Sequence, residues 1–223
     1  MNVSAVIVTR GNVDLQEIID SIPQGWEIVI WDNGEKLVSR SDGYSEVATD
    51  CSVYGRYAAI EYASHDLIYV QDDDVIVSDP QAIVNAWSVT ALAPAPFGRT
   101  DLVVCNMPQE FRHDGYVDHA LVGFGAAFHR DVPERAFARL AHTRGSLRIG
   151  PIDTGLPMPL TQEEREWFHR TCDIPFTYFS PRVIVDVPRT NLEHAYADDR
   201  MYRQPEHVGE RQRMLDQCRR CNG

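Results

Sequence analysis

Short apolar runs alternate with helix-like segments through the first third of the sequence. Residues 5–9, 27–31 and 67–71 are rich in β-branched and aromatic side chains, which is typical of buried strands. Residues 14–22 repeat apolar side chains at helical spacing, and residues 53–63 combine alanine with aromatic side chains, which favours a second helix. This alternation predicts an α/β, Rossmann-like fold with a central, mostly parallel sheet flanked by helices.

The rest of the chain has a less regular pattern. Proline at the start of residues 80–92 predicts a helix there. Glycine and proline in residues 145–159 predict a loop. Further strands are predicted at residues 102–105 and 121–128, and further helices at residues 133–142, 161–170 and 208–220.

Charge and cysteine content limit the classes of function. The formal net charge of −12 argues against a broad nucleic-acid-binding surface, because phosphate backbones are bound by clustered lysine and arginine. The five cysteines are odd in number and scattered, which fits a reducing cytoplasm. No apolar run has the length needed to cross a bilayer. We therefore expect a cytoplasmic protein, bacterial or viral, with no membrane span.

Polar clusters follow three of the predicted strands, at residues 9–12, 32–34 and 72–74. Because ligands bind beyond the carboxyl ends of the strands in such sheets, we expect the three clusters to line one crevice. Alternate residues of an extended chain point the same way, so Asp72 and Asp74 should face one site while Asp73 faces elsewhere. Two carboxylates suit a hard cation such as Mn²⁺ or Mg²⁺. The alternative is a solvated turn after an edge strand.

An apolar strand, a helix with a basic residue and a strand that ends in Asp-x-Asp resemble the GT-A nucleotide-sugar glycosyltransferases. More narrowly, the chain resembles the exostosin-like N-acetylhexosaminyltransferases of glycosyltransferase family 64, and more loosely family 2. One matching motif, Cys172-Asp173-Ile174, has one acidic residue where the family pattern has two. The matching stretches are spread over most of the chain, at residues 8–15, 28–36, 72–74, 121–129, 171–176 and 207–211.

The resemblance implies one GT-A catalytic domain over residues 1–188, followed by a C-terminal lid over residues 189–223. Within the domain, residues 1–105 would bind the nucleotide and residues 106–188 the acceptor. The implied donor is a uridine diphosphate (UDP) sugar, the acceptor a carbohydrate or a protein, and the anomeric configuration is retained. A homodimer is compatible with the sequence.

The resemblance also implies which residues contact the donor. Asp32 and Asn33 have an alternative role, because aspartate and asparagine often cap their own turns. For Arg56 the alternative is a surface position on a helix. The residues expected at the nucleotide or the donor sugar are Thr9, Arg10, Asp32, Asn33, Arg56, Asp72, Asp73, Gly125 and Ala126.

Two residues are expected at the reacting centre. The resemblance makes Asp173 the acid near the anomeric carbon, whereas the alternative is an ion pair in a loop or at a helix end. Arg211 is expected to grip the diphosphate, because guanidinium binds such groups through two parallel hydrogen bonds.

The metal is expected to be bound by Asp72 and Asp74. GT-A enzymes often take a third ligand from a late segment, which here implies His194 or His207. A neutral imidazole can complete a metal site, although a surface histidine is the alternative for each.

These features predict a metal-dependent glycosyltransferase, and three alternatives stay open. A nucleotidyltransferase on a similar sheet would carry a glycine-rich, basic loop after the first strand. A nucleotide-sugar mutase is the second, since plant reversibly glycosylated proteins also carry a triple aspartate. A non-catalytic divalent-cation or carbohydrate-binding module is the third, and it would bind metal without a nucleotide.

Overall fold

The described residues build one eight-stranded sheet and a separate two-stranded ladder. A computed structural model of the chain describes residues 1–93, 99–107, 120–144, 171–192 and 205–221. The strands are β1 (Val3–Thr9), β2 (Glu27–Asp32), β3 (Leu37–Arg40), β4 (Ser45–Val47), β5 (Leu67–Asp72), β6 (Val75–Val77), β7 (Val103–Asn106), β8 (Ala126–His129), β9 (Arg182–Val185) and β10 (Arg189–Asn191).

The sheet has a parallel centre with antiparallel neighbours. Across the described ranges its order is β4-β3-β2-β1-β5-β8-β7-β9. β1 runs parallel to β2 and β5, and β7 runs parallel to β9. The hairpin of β3 and β4 and the reversed strand β8 make the remaining neighbours antiparallel, so the sheet is mixed. β6 pairs with β10 outside this sheet.

Helices cover both faces, which confirms the predicted α/β class. On β1, Val6 and Val8 belong to a core that includes residues of α2, α4, α5 and α6. Ala5 shares a second core with α3, and Ile7 packs in a third cluster with Ile18 of α1. The helices are α1 (Gln16–Ser21), α2 (Gly55–Ala58), α3 (Pro80–Ala91), α4 (Val132–Arg144), α5 (Asp173–Tyr178) and α6 (Pro205–Cys221).

Most elements predicted from periodicity are confirmed, with their ends shifted by a few residues. The hairpin of β3 and β4 and the short strands β9 and β10 were not predicted, because their side chains show no clear alternation. The predicted loop at 145–159 and helix at 161–170 lie outside the described residues. The confirmed predictions are the strands at 5–9, 27–31, 67–71 and 102–105 and the helices at 14–22, 80–92, 133–142 and 208–220.

The prediction of one continuous helix over residues 53–63 was wrong. Only Gly55–Ala58 is α-helical, between 3₁₀ turns at Ser52–Tyr54 and Ala59–Tyr62. The backbone keeps right-handed helical angles at Tyr54 and Ala59, so the segment changes its type of helical turn without a gap. Gly55 lies against Trp31, where a Cβ atom would be 2.5 Å from the indole ring.

The strand predicted over residues 121–128 was half right. Its first part is a 3₁₀ turn at Val122–Phe124, and only its last part enters β8. Gly125 separates the two with a φ of 106°, a left-handed value that glycine adopts without a steric penalty.

Glu27 ties four segments together at the amino end of the sheet. Its carboxylate accepts hydrogen bonds from the Ser4 hydroxyl of β1 and from the backbone N–H and hydroxyl of Ser64, the last two at 2.7 Å. Arg40 of β3 lies 3.7 Å away. Burial alone would raise the pKa of Glu27, but the hydrogen bonds from Ser4 and Ser64 outweigh it, so the pKa is lowered from 4.5.

We expect Glu27→Gln to lower the free energy of unfolding by about 1.5–3 kcal/mol at neutral pH, the range for hydrogen bonds to charged groups. Because the folded-state pKa is lowered, this contribution is complete above the unfolded value and is lost as the pH falls through the folded value. Urea denaturation across this range should therefore show a gap between wild type and variant that is largest at pH 7 and becomes smaller as the pH falls below 4.5.

Glu17→Gln is the matched control, because Glu17 is exposed on α1. It should change stability by less than about 0.5 kcal/mol. A Glu27→Gln effect as small as this, or one that persists at low pH, would contradict the role of the carboxylate.

The C-terminal helix contributes to the main core. Met214, Leu215 and Cys218 of α6 are buried among residues of α2, α4 and α5. Residues 189–192 are also held, since β10 pairs with β6. Whether residues 189–223 act as a lid stays a prediction. No helix in the described ranges has the length and apolar character that a membrane span requires.

Candidate functional site

The predicted polar clusters lie at the carboxyl ends of β1, β2 and β5. The chain leaves β1 towards β2 on one side of the sheet and leaves β5 towards β8 and β7 on the other. In doubly wound sheets the ligand crevice is found between two strand ends where the chain reverses in this way. Strand register places Thr9 beside Asp32, and Val8 beside Asp72. The structure therefore brings the three predicted polar clusters to one edge.

The three aspartates differ in burial, while the prediction that Asp72 and Asp74 face one site stays a prediction. Asp72 ends β5, and Asp73 and Asp74 form the turn into β6. Asp73 is buried, whereas Asp72 and Asp74 are half-exposed. The backbone N–H of Leu192 donates to the carbonyl oxygen of Asp74 at 2.7 Å, so the end of β10 lies against the acidic turn.

Arg56 is buried beneath this acidic edge. It is only 5% exposed, so it is not a surface arginine. Its Nη2 donates to Oδ1 of Asp72 at 2.7 Å, and its Nε donates to the carbonyl oxygen of Val53 at 3.0 Å. Burial alone would lower the pKa of Arg56, but attraction by Asp72 and, more weakly, by Asp173 raises it, so the guanidinium stays charged.

Asp173 and Arg211 form a second buried ion pair in the same region. Asp173 is the first residue of α5, and Arg211 lies on α6. Two parallel hydrogen bonds of 2.9 and 2.8 Å join the guanidinium to the carboxylate, a geometry that favours arginine over lysine. The sequence predicted both residues for the site but not that they would bind each other.

The neighbouring cysteine is not a nucleophile. Burial, together with the Asp173 carboxylate, raises the pKa of the Cys172 thiol to about 12. A thiol in this state stays protonated at neutral pH, and the thiolate is the reactive form of cysteine. The charged chemistry of this region therefore belongs to its carboxylates and guanidinium groups.

Two predicted nucleotide contacts, Thr9 and Asp32, instead hold their own turns at the carboxyl ends of β1 and β2. The Thr9 hydroxyl accepts a hydrogen bond from the backbone N–H of Gly11. One oxygen of Asp32 accepts from the N–H groups of Gly34 and Glu35. These bonds are the turn-capping role left open as an alternative, and they leave the second Asp32 oxygen for a ligand.

Asn33 and Arg10 are the other two predicted contacts at these turns. The Asn33 side-chain oxygen accepts from the Trp31 indole N–H at 3.2 Å and from the backbone N–H of Cys51 at 2.9 Å. Asn33 therefore joins β2 to the segment that leads to α2. Arg10 is exposed at the same edge.

Four glycines allow close backbone packing around this edge, and sequence reasoning missed their role. A Cβ atom would lie 2.6 Å from an Asp32 oxygen at Gly11, 2.2 Å from the Arg10 carbonyl oxygen at Gly34, and 1.8 Å from an Asp72 oxygen at Gly123. Gly55 lies against Trp31 as described above. The available signal was that Gly11 and Gly34 directly follow predicted strand ends, whereas Gly55 and Gly123 lie inside predicted elements.

The remaining predicted site residues are two residues at the start of β8 and two histidines. Ala126 is fully buried in β8, where it pairs with Val70 and Cys105. Gly125 turns the chain just before it, close to the Tyr69 hydroxyl. His207 is buried on α6, and His194 lies outside the described residues.

A metal ion at the acidic edge would need further ligands from water or from a substrate. In the described part of the chain, no three histidine, cysteine, aspartate or glutamate side chains form a group that could hold a metal. Mg²⁺ is usually bound by one or two carboxylates and completes its shell with water and substrate phosphates. Asp72 and Asp74 are the half-exposed carboxylates of this edge, and one oxygen of Asp72 is already bonded to Arg56.

Comparison with protein-family models and with curated proteins finds no match for this chain.

We expect Arg211→Met to lower the free energy of unfolding by about 3–5 kcal/mol, because Asp173 would remain as a buried carboxylate without its guanidinium. Arg213→Met on the exposed side of the same helix should cost less than about 0.5 kcal/mol. Urea denaturation measures both. The double variant Asp173→Asn/Arg211→Met should cost less than the sum of its single variants, and additive costs would contradict the pairing.

Proposed function

We propose that this chain is a metal-dependent glycosyltransferase of the GT-A kind that transfers a sugar from a UDP-sugar to a carbohydrate or protein acceptor. The observation that carries the proposal is the pair of half-exposed carboxylates, Asp72 and Asp74, at the crevice beside β1 and β5. A crevice at this position is where doubly wound α/β sheets bind nucleotides. The resemblance in sequence supplies the choice of a sugar nucleotide.

In this proposal Asp74 and Asp72 would hold Mn²⁺ or Mg²⁺, which would supply positive charge to stabilise the departing UDP. Asp72 keeps its hydrogen bond to Arg56, which fixes the orientation of its carboxylate. Thr9, Arg10, Asp32 and Asn33 form the rim that receives the nucleoside.

Asp173 is the carboxylate that the resemblance places near the anomeric carbon, and it interacts electrostatically with Arg56. Both of its oxygens accept hydrogen bonds from Arg211, so the carboxylate is held charged and in one orientation. Such a fixed charge favours an oxocarbenium-like transition state, in which the sugar becomes positive. In this arrangement Arg211 acts as a positioning residue for Asp173, and a grip on the diphosphate would require it to leave that pair.

We expect UDP to raise the melting temperature only when Mn²⁺ is present, because a ligand that binds the folded state stabilises it. Asp74→Asn should weaken Mn²⁺-dependent UDP binding at least about tenfold, or about 1.4 kcal/mol, in calorimetric titration. Asp79→Asn is the matched control, since Asp79 caps α3 at Ala82 and asparagine preserves that cap.

Stabilisation by nucleoside triphosphates but not by UDP would contradict the proposal and favour a nucleotidyltransferase. Metal binding without any response to nucleotides would favour a non-catalytic module. With a UDP-sugar as donor, nuclear magnetic resonance of the product should show retention of the anomeric configuration, and inversion would contradict the family 64 assignment.

A further inference from the structure

Gly123 presses against the carboxylate of Asp72. Gly123 is the middle residue of the 3₁₀ turn Val122–Phe124, which crosses over the end of β5. A Cβ atom at this position would lie 1.8 Å from Oδ2, 2.4 Å from Cγ and 2.8 Å from Oδ1 of Asp72. Cβ atoms do not approach other heavy atoms this closely, so any side chain here would displace the carboxylate.

The backbone conformation does not explain the glycine. Positive φ values occur at Gly11, Gly25, Gly43 and Gly125, but not at Gly123. Alanine could therefore adopt the same φ and ψ, and it is favoured over glycine in helical turns. What requires glycine at this position is the space that Asp72 occupies.

The displaced carboxylate would lose its ion pair. Asp72 lies between two fixed groups, with Oδ1 bonded to Arg56 and Oδ2 against Gly123. Arg56 is buried and cannot follow a moving partner without leaving its bond to Val53. A carboxylate that turned away from Gly123 would leave this cation without its short hydrogen bond.

We propose that Gly123 is a positioning residue that holds Asp72 in the one orientation that serves both Arg56 and the crevice. The effect on metal and donor binding rests on the proposed function, whereas the contact between Gly123 and Asp72 does not. Gly123 thus determines how the acidic edge meets a metal-bound diphosphate. Its substitution acts through Asp72 alone.

The test compares Gly123→Ala in two backgrounds. One is the wild-type chain, and the other is Asp72→Ala/Arg56→Met, which removes the displaced carboxylate and its buried cation together. In wild type, Gly123→Ala should lower the melting temperature by at least about 5 °C and weaken Mn²⁺-dependent UDP binding at least about tenfold. In the second background the melting temperature should change by less than about 2 °C, since the methyl group then has room.

Two outcomes overturn the proposal. One is an equal loss of melting temperature in both backgrounds, which would make Gly123 a requirement of the turn itself. The other is wild-type affinity for Mn²⁺ and UDP in Gly123→Ala. If Gly123→Ala does not fold in wild type but folds in the second background, the contact is supported.

The two proposals fail separately in this design. A wild-type chain that binds no UDP with Mn²⁺ contradicts the glycosyltransferase function, yet the melting temperatures still test the contact between Gly123 and Asp72. If the Gly123→Ala variant binds UDP with wild-type affinity, only the positioning role of Gly123 is contradicted.

Discussion

The ion pair between Arg56 and Asp72 is the interaction on which the acidic edge depends. Asp72, Asp73 and Asp74 follow a buried strand, and Asp173 adds a fourth carboxylate near the same cation. Without opposite charge, such a group of acids at the edge of a core would be strongly unfavourable. Arg56 supplies that charge through its hydrogen bond to Asp72.

The two ends of the sheet are held by different means. At the amino end, Glu27 accepts several hydrogen bonds and joins strands that are distant in sequence. At the carboxyl end, glycines such as Gly123 and Gly34 let backbones approach each other and the acids closely. A rigid base and a closely packed rim are what a binding crevice requires, because its polar groups must keep their positions when a ligand arrives.

Local patterns predicted the strands and helices that contain the candidate site. The end of β5 was recognisable because β-branched residues give way abruptly to Asp72. The close contact between Gly55 and Trp31 was not, because Trp31 belongs to a different strand. Periodicity in one segment carries no information about such a neighbour, and short strands such as β9 offer too few residues to show a period.

The sequence by itself determined the alternation of strands and helices and the polar strand ends. These features follow from the order and spacing of residue types within a short segment of the chain. Only the tertiary structure decided that Arg56 pairs with Asp72, that Arg211 pairs with Asp173, and that Gly123 lies against Asp72. Each of these contacts joins segments that are distant in sequence. The connections between the strands of the sheet bring those segments together, and a local sequence pattern does not predict these connections.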